Sequence, residues 1–150
     1  MKEKLSDFER AYIAGFIDGE GYFGLLNNRH AFPSPCLKIV NTNYEVMVWL
    51  QKRLGGSITS SKRKHGISVC HMLTLSSNFI RWVLPQIHDL LIVKKREAGI
   101  MEHALLINAQ KNIPNAPRGS ELRKLQKQLQ DLHSGHANYF RPEATLTVIE

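Results

Sequence analysis

The sequence predicts an α+β domain built as helix, hairpin, helix, hairpin, helix, with further helices after it. Three observations carry the prediction. Runs with apolar residues three and four apart take turns with paired short runs in which apolar and polar residues alternate singly. Turn-forming clusters split the paired runs, at Pro33-Ser34-Pro35 and at Lys64-His65-Gly66. The length, 150 residues, suits one domain with its own core. A four-stranded antiparallel sheet with its helices on one face satisfies this αββαββα order, and the uncovered face of such a sheet is solvated.

The first helix is expected to start near Asp7, because Ser6 and Glu9 have the spacing of a capping box. Phe8, Tyr12, Ile13, Phe16 and Ile17 recur at helical spacing and are expected to face the core. A second stripe is small: Ala11, Ala14 and Gly15. Glycine inside a helix costs about 1 kcal/mol against alanine. The stripe therefore suggests a close-packed partner, of which a second copy of this helix is the simplest. The helix leads into Asp18-Gly19-Glu20-Gly21. Acids at a helix C-terminal end oppose the dipole, and the two glycines are read as a sharp turn with positive φ. A cation bound there would reverse the penalty. The plain alternative is a solvated acidic turn behind a glycine cap.

Residues 22–32 and 36–40 read as the first pair of strands. Asn41-Thr42-Asn43 then supplies caps for a helix over 44–54, with Val46, Met47, Leu50 and Leu54 on one side and Gly55-Gly56 as its stop. The second strand pair covers 57–63 and 67–75. Ser76-Ser77-Asn78 caps a helix bearing Phe79, Ile80, Val83 and Leu84, with Pro85 as a boundary or kink. Lys94-Lys95-Arg96 opens the next helix, which continues through Ile100, Met101, Leu105 and Leu106. Cations at a helix start oppose the dipole and hint at an anionic neighbour. A last helix over 121–133 has Leu122, Leu125, Leu129 and Leu132 on one side. Arg118, Arg123, Lys124 and Lys127 make it basic opposite, either as a solvated face or as a phosphate contact. Residues 136–141 have the composition of a loop against a phosphate backbone.

Alternation divides the strands. Phe23, Leu25, Leu37, Ile39, Ile58, Val69, Leu73 and Leu75 are assigned to the core. Gly24, Leu26, Asn28, His30, Lys38, Thr59, Ser61, Arg63, Ser68, Cys70 and Met72 are left on the open face. The formal charge of +7 and a pI near 9.6 favour a polyanionic partner, nucleic acid before membrane. The major groove admits a two-stranded ribbon. Asn28, His30, Lys38, Thr59, Ser61, Arg63 and Ser68 are therefore the DNA-contact candidates, for base edges or phosphates. Two cysteines, Cys36 and Cys70, make no disulfide framework and no zinc signature. No apolar run reaches the length of a membrane span, and the first residues lack the apolar segment of a secretion signal. A soluble, intracellular protein is expected.

Ala14-Gly15-Phe16-Ile17-Asp18-Gly19-Glu20-Gly21 resembles the LAGLIDADG motif of homing endonucleases, matching it at Ala14, Gly15, Asp18, Gly19, Glu20 and Gly21. Glutamate stands at the second acid. The predicted αββαββα order is also that family's plan. The motif occurs once, so the resemblance is to the single-motif branch and implies one endonuclease domain over 1–150 that dimerises through the 11–21 helix. It further implies a sequence-specific, Mg²⁺-dependent double-strand break at a long pseudo-palindromic DNA target. In that reading Glu20 from each subunit binds metal, with the Gly19 carbonyl and Asp18 as further ligands and Asp18 first a structural residue. Lys94, or Lys95 one residue on, stabilises charge on the phosphate, and Asn41 holds water. No arginine matches the second basic group some members carry. The rival from another class is a non-cleaving binder, such as an RNA-splicing maturase.

Overall fold

The first helix, α1 (Asp7–Glu20), opens where its capping box sets it. Ser6 Oγ accepts the Glu9 amide at 3.3 Å, and the Glu9 carboxylate accepts the Ser6 amide at 2.9 Å. This computed structural model describes residues 3–28, 31–62, 68–110 and 118–135. Ile13, Ala14 and Ile17 are buried, whereas Phe8 and Tyr12 are 74% and 42% exposed. The core assignment of Phe8 and Tyr12 is thus corrected. Phe8 is nine residues from Ile17, about 180° round the helix, so both cannot face inward. Its ring stacks on Tyr12 at 6.2 Å, and Tyr12 meets Trp49 edge-on at 5.5 Å. Ala14 leaves the expected outer stripe for the same angular reason, lying beside Ile13 and Ile17 in the core.

The strand β1 (Gly21–Asn28) follows α1 without a turn, which corrects the positive-φ reading of the two glycines. Gly21 has φ −85°, and the positive-φ glycines among the described residues are Gly55 and Gly56. Gly21 is needed for closeness instead: a Cβ there would lie 2.6 Å from the Ile17 carbonyl oxygen. The next strand, β2 (Ala31–Asn41), runs through Pro33-Ser34-Pro35, which the sequence read as a turn. Proline is tolerated because this half of β2 pairs with β1 alone, the fourth strand joining only from Cys36 onward.

The chain continues through α2 (Tyr44–Leu54), β3 (Ser57–Lys62), β4 (Val69–Ser76) and α3 (Ser77–Ile87), which carries on past Pro85. A short 3-10 turn, His88–Leu90, precedes α4 (Lys95–Ala109) and α5 (Arg118–Gly135). The sheet is antiparallel throughout, in the order β1-β2-β4-β3. Phe23, Leu25, Leu37, Ile39, Leu73 and Leu75 turn toward the helices and are buried, with Ile58 packed against them. Val69, near the sheet end, is only half-buried. The helix layer supplies Met47, Leu50, Ile80, Val83, Met101 and Ala104 to the same continuous core. Arg53 ties α2 to α1 through a two-point ion pair with Glu9, at 2.6 and 2.8 Å. Among the described residues no helix is long and apolar enough to cross a membrane.

Candidate active site

The end of α1 is held by its own acid. Asp18 accepts the Ile92 amide through Oδ2 at 2.7 Å and the Lys94 amide through Oδ1 at 3.0 Å. Lys94 Nζ reaches back and donates to the Asp18 carbonyl at 2.6 Å. These three bonds clamp the segment before α4 onto the last turn of α1. They also account for Lys94 among the cations that open α4. The Lys94 ammonium sits on the carbonyl end of one helix, where a cation is favoured. As the residue preceding Lys95 it is the N-cap of α4 rather than part of its first turn.

Glu20 is the acid left over. It ends α1, it is exposed, and among the described residues no side chain or amide partners it. The Gly19 carbonyl, in the same last turn, has no helical amide four residues on to bond, since position 23 is already in β1. The site therefore presents one free carboxylate and one free carbonyl beside an ammonium with two unused N–H groups. These are hard oxygen donors of the kind Mg²⁺ or Ca²⁺ takes, and the set fits such an ion. One chain supplies too few of them to enclose it: among the described residues, no three His, Cys, Asp or Glu side chains gather.

Asn41 ends β2 two residues past Ile39, the partner of Gly21, so it shares this end of the sheet with the α1 terminus. Its Oδ1 accepts the Asn43 amide at 2.8 Å, which leaves Nδ2 as a donor. Asn43 in turn caps α2, accepting the Val46 amide at 3.0 Å. Across the ladder, His71 pairs with both Asn41 and Ser60. Ser60 Oγ lies 2.7 Å from His71 Nδ1, and the Tyr44 ring is 4.9 Å from the imidazole. Sequence reasoning singled out Asn41 alone, because only strand register brings positions 41, 60 and 71 together.

On the open face, Lys38, Thr59 and Ser61 project together as alternation required, with Lys38 half-buried and the other two exposed. Ser68 is exposed just ahead of β4. Asn28 closes β1, its side chain outside what is described, and His30 and Arg63 lie outside the described residues. Register adds residues missing from the sequence list. Tyr22, Lys38, Thr74 and Ser57 form one row across all four strands, and Val40, Met72 and Thr59 form the next. Tyr22 and Val40 are 46% and 38% exposed, so this face has apolar as well as polar contacts to offer.

No family model and no curated protein matches the chain. Solved structures do. An archaeal intron-encoded homing endonuclease, I-Vdi141I, complexed with DNA, is 24% identical over 83% of this chain and 84% of its own, with a TM-score of 0.66. The homing endonuclease I-CvuI, in complex with its target in the presence of Ca, is 17% identical over 83% of this chain and 82% of its own, with a TM-score of 0.67. The I-SmaMI LAGLIDADG homing endonuclease, bound to cleaved DNA, is 22% identical over 84% of this chain but only 45% of its own, with a TM-score of 0.64.

Proposed function

We infer, from a chain folded as the LAGLIDADG homing endonucleases are, that this protein is a sequence-specific, metal-dependent DNA endonuclease that acts as a homodimer. The observation that carries the reading is the free Glu20 carboxylate at the α1 terminus. An acid there is unfavourable for the helix, yet the surrounding structure spends three hydrogen bonds on Asp18 and Lys94 to fix its position and leaves it open. A polyanion-binding protein has no use for such an acid unless a cation stands between the two.

The second copy is supported by the outer face of α1. Phe8, Ala11, Tyr12, Gly15 and Gly19 run along it, all exposed. A Cβ at Gly15 or Gly19 would meet nothing within 4 Å, so a second backbone has room to approach. Pairing there brings two Glu20 residues and two Lys94 residues to one centre. The chain also covers most of two of the matched structures but under half of the third, so this fold serves there as one part of a longer chain. That is the arrangement expected where two such units make one working enzyme.

In the mechanism, Glu20 and the Gly19 carbonyl would hold Mg²⁺, which would supply an activated water and charge stabilisation for in-line phosphodiester cleavage. Lys94 offers its two remaining N–H groups to the negative charge that grows on the phosphate. Asp18 keeps Lys94 and the α1 terminus in register, and Asn41 Nδ2 donates to water at the same end of the sheet. The open face, with Lys38, Thr59, Ser61 and Ser68, lies along the DNA and reads a long pseudo-palindromic target. Selecting cleaved sites from a randomised duplex library in Mg²⁺ tests the reading. A two-fold-symmetric site is expected. Tight RNA binding with no duplex binding in the same buffer would move the protein to the maturase class.

A further inference from the structure

The sheet has an edge as well as an open face, and α5 lies along it. Gln126 Nε2 donates to the Leu25 carbonyl at 2.7 Å and to Asn27 Oδ1 at 3.1 Å, covering the free edge of β1. Two turns on, the His133 ring lies 4.7 Å from that of Tyr22, a residue of the open face. Leu122, Leu125 and Leu129 are buried in the core shared with α4. These contacts fix the rotation of α5 about its axis.

That rotation sorts its cations. Measured from Gln126 at about 100° per residue, the three leucines lie at about −40° to −100°, toward α4 and the helix layer. Arg123 and Lys127 lie at about +60° and +100°, on the side turned from α4 and toward the open face, whereas Lys124 lies at about 160°. All three are exposed. Arg118 is already engaged: it donates to Asn108 Oδ1 at 2.6 Å and lies over the Phe32 ring at 5.4 Å.

We propose that α5 extends the DNA surface beyond the sheet, with Arg123 and Lys127 holding two backbone phosphates of a duplex laid on the open face. The proposal rests on the endonuclease reading. Two cations one helical turn apart, beside the Leu25–Asn27 part of β1, complement a phosphate backbone. They contact no base, so they add affinity without sequence preference. The test is duplex binding measured across a salt series for the full chain, Arg123→Ala/Lys127→Ala and Lys124→Ala. Because each substitution occurs in both subunits, the double variant is expected to make the dependence of log affinity on log salt shallower by about 3.6, or 0.9 for each of four phosphates lost. Its cleavage pattern on a randomised library should not change. Lys124→Ala is expected to keep the unaltered slope. An unchanged slope in the double variant overturns the proposal while leaving the endonuclease reading standing. So does a slope change in Lys124→Ala half as large as the double variant's, because overall charge would then account for both. Absence of duplex binding by the unaltered protein overturns both readings.

Discussion

Removing Asp18 should loosen the whole centre. Its carboxylate accepts two backbone amides, at 2.7 and 3.0 Å. A hydrogen bond to a charged acceptor contributes about 1.5–3 kcal/mol. Asp18→Ala loses both bonds, but the exposed Ile92 amide regains water, and an anion leaves a helix C-terminal end, which returns about 0.3–1 kcal/mol. The net expectation is a loss of about 2–4 kcal/mol. With a urea slope of about 2 kcal/mol/M for a domain of this size, the midpoint should fall by about 1–2 M. The assay is equilibrium urea unfolding followed by circular dichroism at one fixed protein concentration, since a dimer's stability depends on concentration. A change below about 0.5 kcal/mol would refute the clamp, and the role given to Asp18 in placing Lys94 would go with it.

Two glycines of α1 should behave oppositely. Gly15→Leu meets open space in its own chain, so the fold should hold while sedimentation shows loss of the dimer. Gly21→Ala drives a methyl against the Ile17 carbonyl at 2.6 Å and should destabilise the fold by about 1–3 kcal/mol in thermal unfolding. Glu9 gives a pH signature. The Ser6 amide first, and Arg53 second, hold its carboxyl below the usual carboxylate range. A depressed pKa contributes stability that is present above the unfolded-state value and lost as pH falls through the folded one. Unfolding measured from pH 7 down to pH 3 should therefore steepen in acid, and Glu9→Gln should flatten that part of the curve.

Much of this was legible in the residues. The capping box at Ser6 and Glu9 marked the start of α1, and strict alternation separated Leu37 and Ile39 from Lys38. Those signals are local, and local geometry enforces them. One failure was local, and the others came where a distant neighbour decides. Phe8 and Tyr12 follow helical spacing but lie on the outer face, because the core stripe was already set by Ile13 and Ile17. Pro33 and Pro35 looked like a turn, and only the late arrival of β4 along β2 lets them sit in a strand. At the site, the motif marked Glu20, and resemblance marked Lys94. Neither could show that Asp18 reaches 74 residues along the chain to the Ile92 amide, a contact with no sequence spacing. The same holds for Asn41, His71 and Ser60, which meet through register alone.

If Glu20 holds a metal for cutting DNA, removing its charge should stop cleavage and spare binding. Glu20→Gln preserves the side-chain shape and removes the charge. A gel shift and a nicking assay on one duplex, with and without Mg²⁺, separate the two functions. Binding should survive in the variant and tighten slightly, since an anion has left the neighbourhood of the phosphates, while cleavage falls to background. Ca²⁺ should support binding by the unaltered protein with little cutting. Undiminished cleavage by Glu20→Gln would contradict the account, leaving Asp18-Gly19-Glu20-Gly21 as no more than the way α1 passes into β1.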